Sequence, residues 1–583
     1  MKVRGNTTDL SGCWNFILDR NDSGGEKGYT LKDCDISCWR KADIPCTFEG
    51  AAQECTGYRG TVWFRRTFTI DKAPGGLLWL EFAAVNYRAD VWINEQAVGS
   101  YTGDYLPFRF EISRYIVPGE NLICVRVNNR VIPGMLPPGH FWRGHGGIIR
   151  KVTIYGTPAC YIKSVKLIKK GDSLTAAAEI VNSSDSVVSV HIMHLCPENS
   201  VRGENDLTVP PNSAKLSEVV LPIDKFRYWD PDDPALYTCR TVMTAEGYKD
   251  SCTVSFGVRE IKSEDGKITL NGKEICLRGF NRHEDSPFRM NATDVGNSER
   301  DFRIMKDMNA NFVRFCHYPH SEEELDICDR LGLLVLAEIP LNAAMIGIRE
   351  YDEAETRSAL PQLYMNARKA AERMISRDFN HPCIMFWSVS NESNESVPAI
   401  RQMNEALIQY VKQLDGSRFA VHVSQGCWWE KPEYGDSIFT HDDVICINAY
   451  VTMEHLNLQS TDKKTADEDD IRYAESFWNK KLAYFREKYH PAAVAPEAFR
   501  EVVFLNAQEQ TPEPDIAVYT LPGDVWVGID RVSGYFHVEC EDMAKAVPVW
   551  DDLFLQRGLN RQDLANYVVT GQYLQLQQHR GEI

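Results

Sequence analysis

The hydrophobic pattern of this chain changes period once, near residue 258, and that change rules out a single uniform fold. Before it, short alternating runs are separated by Gly, Pro and Asn clusters. Examples are Thr61-Val62-Trp63-Phe64-Arg65-Arg66-Thr67-Phe68, Ala89-Asp90-Val91-Trp92-Ile93-Asn94 and Asn121-Leu122-Ile123-Cys124-Val125-Arg126-Val127. A period of two buries one face of a strand and wets the other, so these segments predict β-sandwiches. After it, continuous apolar runs alternate with long amphipathic segments, the pattern of βαβ units around a parallel sheet. At 583 residues the chain is also too long for one core. The expected architecture is a jelly-roll β-sandwich over 1–157, an immunoglobulin-like β-sandwich over 158–257 and a C-terminal (β/α)8 TIM barrel over 258–583.

Seven barrel strands are expected, at 275–280, 312–316, 333–337, 384–389, 419–423, 444–448 and 492–495, with helices between them over 299–308, 321–330, 364–377 and 400–414. Closure needs an eighth strand. Residues 524–530 are one candidate, and the alternative is a chain that stops before strand eight is complete.

Two of these strands deliver a carboxylate at their C-terminal ends: Trp387-Ser388-Val389-Ser390-Asn391-Glu392 and Ala493-Val494-Ala495-Pro496-Glu497. The C-terminal strand ends form the active-site face of a parallel barrel, so both acids are expected to face one pocket. Paired carboxylates are the minimum equipment for cleaving a glycosidic bond. The other strand ends carry His283, Arg314, His317, Glu338, Asn448 and Tyr450, a density of hydrogen-bonding groups and aromatic surface that suits sugar hydroxyls and ring faces. Glu392 is assigned as general acid/base, which requires it to hold a proton near neutral pH, and Glu497 as the ionised nucleophile, aided by a cation such as Arg314. Asn391 is expected to donate to the 2-hydroxyl of the sugar. His283 and His317 read either as site residues or as core histidines satisfied by backbone carbonyls. Glu338 serves equally well as a substrate ligand or as a structural partner of Arg314.

Composition narrows the partners. The formal charge of −18 disfavours nucleic acid and anionic membranes, and no apolar stretch approaches the length of a membrane span. The N-terminal Met1-Lys2-Val3-Arg4-Gly5-Asn6 lacks the apolar core of a signal peptide. Seventeen scattered cysteines, several inside apolar strands and none in Cys-x-x-Cys spacing, read as buried free thiols of a reducing, cytoplasmic setting rather than disulfides or a zinc site. A carbohydrate substrate, no cofactor and no metal are expected; self-association is left open.

Several longer motifs resemble glycoside hydrolase family 2, which includes β-galactosidases, β-glucuronidases and β-mannosidases. Ala89-Asp90-Val91-Trp92-Ile93-Asn94 and Gly146-Gly147-Ile148-Ile149-Arg150 resemble its sugar-binding jelly roll. Gly279-Phe280-Asn281-Arg282-His283-Glu284-Asp285, His317-Tyr318-Pro319, Cys328-Asp329-Arg330-Leu331-Gly332 and Asn380-His381-Pro382 resemble its barrel signatures. The resemblance implies a retaining exo-glycosidase with Glu392 as acid/base and Glu497 as nucleophile. Around the nucleophile the family usually has Ser-Glu-Tyr/Phe-Gly, where this chain reads Pro496-Glu497-Ala498-Phe499. The Asn-x-Lys pair by which its β-glucuronidases grip a sugar carboxylate has no convincing counterpart, so the expectation is a β-galactosidase-like enzyme, with glucuronidase or mannosidase specificity as alternatives. A catalytically inactive carbohydrate-binding relative is the competing reading from another class. Near the C-terminus, Val568-Val569-Thr570-Gly571-Gln572-Tyr573-Leu574-Gln575 resembles the helix preceding strand eight.

Overall fold

In the computed structural model the alternating runs of the first third become antiparallel strands whose inward residues meet across two sheets. The structure describes residues 2–4, 7–71, 75–103, 105–130, 134–137, 144–264, 267–286, 289–342, 353–393, 395, 397–424, 439 and 441–448, and the strand segments 501–504, 516–521, 525–530 and 535–539. A six-stranded sheet runs in the order Arg40–Ile44, Gly12–Asp19, Thr61–Ile70, Gly119–Asn128, Arg88–Ile93, Gln96–Thr102. A four-stranded sheet of Phe108–Glu111, Leu77–Phe82, Val152–Thr157 and Thr7–Asp9 accompanies it. Trp14, Phe16, Phe64, Phe82, Val91 and Ile123 belong to one buried core in this region.

The second sandwich pairs Cys160–Lys170, Ser173–Asn182 and Ser213–Leu221 in one sheet; the other contains Tyr248–Phe256, Tyr237–Ala245, Val188–Cys196 and Val201–Val209. In Val188–Cys196 every second residue is buried, as a strand with one core face requires. The short N-terminal strand Lys2–Arg4 joins this second sandwich, pairing with Tyr248–Phe256.

Beyond it, seven parallel strands follow one another in chain order: β1 (Gly279–His283), β2 (Phe312–Cys316), β3 (Leu334–Glu338), β4 (Ile384–Asn391), β5 (Phe419–Ser424), β6 (Val444–Ile447) and β7 (Glu501–Phe504). Helices α1 (Val295–Asp307), α2 (Glu322–Leu331), α3 (Glu353–Asp378) and α4 (Pro398–Leu414) lie between them. Every residue of β2, β3, β4 and β5 is buried. Burial on both faces is why these strands read as continuous apolar runs. Helix α2 stops at Gly332, which takes φ +70, and a Cβ there would overlap the Pro231 carbonyl of the second sandwich. Glycine therefore both ends this helix and allows the two units to touch.

Two expectations are corrected. The first barrel strand is not 275–280. Lys273–Glu274 instead completes a small antiparallel sheet with Ile261–Glu264 and Lys267–Leu270, and the barrel strand begins at Gly279. Its last residues, Asn281, Arg282 and His283, are polar yet buried, with Arg282 ion-paired to Glu324 at 2.6 Å and Asp301 at 3.0 Å. Partners on α1 and α2 pay for that burial, and an apolar pattern cannot reveal them. The candidate eighth strand also fails. Val525–Asp530 pairs antiparallel with Ile516–Leu521 and Tyr535–Glu539 in a separate three-stranded sheet, not with the barrel. Residues 492–495, expected as strand seven, and 568–575 lie outside the described residues, which contain no eighth barrel strand.

Candidate active site

Six side chains from the ends of β2, β3, β4 and β6 interlock at the C-terminal face of the barrel. Arg314 of β2 is almost fully buried and its guanidinium is the hub. Its Nη2 donates to Asn391 Oδ1 at 2.5 Å and to Glu338 Oε2 at 3.0 Å, and its Nη1 donates to Asn448 Oδ1 at 3.0 Å. His317 Nδ1 lies 2.8 Å from Glu338 Oε1, and Ser388 Oγ donates to Glu338 Oε2 at 2.8 Å. Burial pushes the Glu338 carboxyl up, but Arg314, His317 and Ser388 outweigh it and hold it at about 2. Glu338 is thus an anion engaged by Arg314, His317 and Ser388.

Against that carboxylate, the His317 Nδ1 must carry the proton, which leaves Nε2 as the acceptor. Burial, then the Arg314 charge, lowers the His317 pKa. Burial likewise lowers His283 well below the ordinary histidine range, with His317 adding to the effect. The two rings meet edge to face at 5.3 Å at one corner of the site.

Glu392 follows directly on β4. Its backbone N–H donates to Val423 O of β5 at 2.8 Å, and its φ of +48 is a left-handed value uncommon outside glycine and asparagine. Its Oε1 accepts from Asn448 Nδ2 at 2.8 Å. Asn448 Nδ2 also donates to Asn391 Oδ1 at 2.9 Å, so one amide joins the carboxylate to the Arg314 hub. Asn391 Nδ2 donates to Asn342 Oδ1 at 2.7 Å, its one acceptor among the described residues.

Asn391, Glu392, Arg314, His317, Glu338, Asn448 and His283 therefore come together as the sequence suggests. Glu497 and Tyr450 lie outside the described residues.

Sequence comparison adds the family. The chain matches "Glycosyl hydrolases family 2, sugar binding domain" over residues 8–158, "Glycosyl hydrolases family 2" over 160–259 and "Glycosyl hydrolases family 2, TIM barrel domain" over 261–483. The chain belongs to glycosyl hydrolases family 2. A β-glucuronidase of Paenibacillus borealis is 28% identical over 478 residues, covering 76% of either chain. A β-galactosidase of Thermoanaerobacter pseudethanolicus is 31% identical over 412 residues, covering 67% of this chain and 51% of its own. The crystal structure of a family 2 β-galacturonidase from Eisenbergiella tayi bound to galacturonate superposes with a TM-score of 0.70 at 23% identity, covering 86% of this chain and 81% of that one. At that identity the likeness is one of fold.

This family 2 chain also holds site residues that its sequence alone did not single out. Asn342 and Ser388 are short polar residues whose role appears only with their partners. Behind Glu392 lies a further buried row. Glu395 Oε1 is 3.8 Å from His422 Nε2, and His422 Nδ1 is 2.9 Å from Asp442 Oδ1. Burial pushes Glu395 up to about 7, with His422 opposing and the Glu392 charge adding to the rise. The available signal was His422 itself, the lone titratable residue in the apolar run of β5.

The first sandwich reaches this corner too. Tyr105 stacks on Tyr318 at 4.4 Å, and Arg150 donates to Glu284 Oε2 at 2.5 Å and to Pro319 O at 2.7 Å. Cys316, Cys383 and Cys446 are buried free thiols, and no described helix is long and apolar enough to cross a membrane.

Proposed function

We propose that this chain is a retaining, exo-acting β-glycosidase working by double displacement, with Glu392 as acid/base and Glu497 as nucleophile. The observation that carries the reading is the setting of Glu392: a carboxylate at a barrel strand end, oriented by Asn448, beside the Asn391 amide. In the first step Glu392 protonates the leaving oxygen while Glu497 attacks the anomeric carbon. In the second, Glu392 takes a proton from water, which displaces Glu497.

The substrate class we favour is a terminal β-glucuronide, because relatives named β-glucuronidase span about three quarters of this chain. A terminal β-galactoside is the second reading, favoured by the 31% identical β-galactosidase. The lack of a convincing Asn-x-Lys counterpart supports the galactoside, while the larger number of relatives named β-glucuronidase supports the glucuronide.

A panel of nitrophenyl β-glucuronide, galactoside, mannoside, glucoside and fucoside tests the sugar. Glu392→Ala should lower kcat/KM by about 10²–10⁴-fold on a poor leaving group. Azide should restore turnover with retained configuration in that variant and with inverted configuration in Glu497→Ala. Normal turnover in either Glu392→Gln or Glu497→Gln overturns the assignment. Sugar binding by a wild-type chain that hydrolyses none of the panel supports the inactive carbohydrate-binding relative instead.

A further inference from the structure

A ring nitrogen of His283, a ring nitrogen of His317 and the Sγ of Cys316 all lie within 4.8 Å of one another, and all three residues are buried. They come from adjacent ends of one parallel pair, because His283 stands opposite Cys316 in the β1–β2 register. Around a tetrahedral zinc ion, sulfur and imidazole ligands sit about 3.5 Å apart, so movements on the order of 1 Å would close the set. A second observation supports a ligand. His317 Nδ1 faces the Glu338 carboxylate at 2.8 Å, the outer hydrogen bond that metal-bound histidines nearly always make. The Arg314 charge that would repel a cation is itself paired with Glu338 at 3.0 Å.

We propose that His283, Cys316 and His317 form a binding site for a borderline or soft divalent cation of the zinc class, and that its occupation shuts the active site. Two imidazoles and a thiolate suit zinc far better than magnesium or calcium, which require oxygen ligands. Binding replaces the Cys316 S–H bond by a sulfur–metal bond and releases that proton to solvent, so no redox partner is involved. Three protein ligands leave a fourth position for water or a sugar hydroxyl. A cation here would tie up two imidazoles otherwise able to meet substrate. Glu338 orients a ligand here and is not itself one.

The test uses the full chain, stripped with a chelator and titrated with cobalt(II) as a spectroscopic stand-in and then with zinc. The expected result is one equivalent of cobalt bound, with a thiolate-to-metal charge-transfer band that zinc abolishes. Cys316→Ala should lose the band and bind zinc at least about tenfold more weakly, while its metal-free hydrolysis matches wild type. Zinc should inhibit wild-type hydrolysis, reversibly on chelation, and inhibit Cys316→Ala at least about tenfold less sensitively. Absence of the band in the wild type, or equal zinc affinity in Cys316→Ala, overturns the site. A metal-free wild type that hydrolyses no β-glycoside would sink the proposed function alone, because the cobalt spectrum reads the metal site without turnover.

Discussion

At the scale of single residues, Glu395 stands out beside the proposed acid/base Glu392. Its carboxyl is buried three residues after Glu392, against His422, which is itself held by Asp442. Its pKa in the fold, about 7, lies above the ordinary 4.5. The stability tied to this group is therefore full below the unfolded pKa and is lost as pH rises through the folded one. Glu395→Gln mimics the neutral form, so it should melt like wild type at about pH 5 and be more stable by about 1–3 kcal/mol at about pH 8.5. Thermal denaturation at the two pH values checks this, and a variant less stable than wild type at the higher pH would show that Glu395 is held as an anion. Glu497 lies outside the described residues, while Glu392 was legible because it follows an apolar run. Glu395 was not, because its neighbours come from β5 and from the segment before β6, distant in sequence.

At the scale of elements, β2 to β6 were legible to within two residues, since burial on both faces leaves an unbroken apolar run. Strand β1 was misplaced because its C-terminal half is polar and its stability is supplied by ion pairs. What fixes its true start is a steric contact: a Cβ on Gly279 would overlap the Phe312 carbonyl of β2. Gly279→Ala must then push β1 from β2, and a cost of about 1–3 kcal/mol is expected, with weaker hydrolysis as His283 shifts. Denaturant midpoints measure the first effect and kcat/KM the second; an Ala variant as stable as wild type would remove this contact from the account. The strand at Val525–Asp530 was recognised as a strand, but strand character is local and does not name the partner to which a strand hydrogen-bonds.

At the scale of the whole molecule, the first sandwich and the barrel are tied together beside the site. Arg150 and Glu284 are each 3% exposed and meet at 2.5 Å, with Tyr105 stacked on Tyr318 alongside. Removing one member leaves a buried charge without its partner, so Arg150→Met should cost about 3–5 kcal/mol. Adding Glu284→Leu should recover part of that loss, and a double-mutant cycle on unfolding free energies measures the coupling. Strict additivity of the two changes would show that the pair does not bind the two units together.

By itself the sequence determined the three kinds of domain, the parallel order of the buried strands and the placing of Glu392 after β4, because periodicity and strand-end position are local properties of the chain. Only the tertiary structure decided that Glu338 pairs with Arg314, that Asn448 orients Glu392 and that His283, Cys316 and His317 converge. Each of those relations joins residues on different strands, and the energy of a buried charge or amide depends on partners that no single stretch of sequence contains.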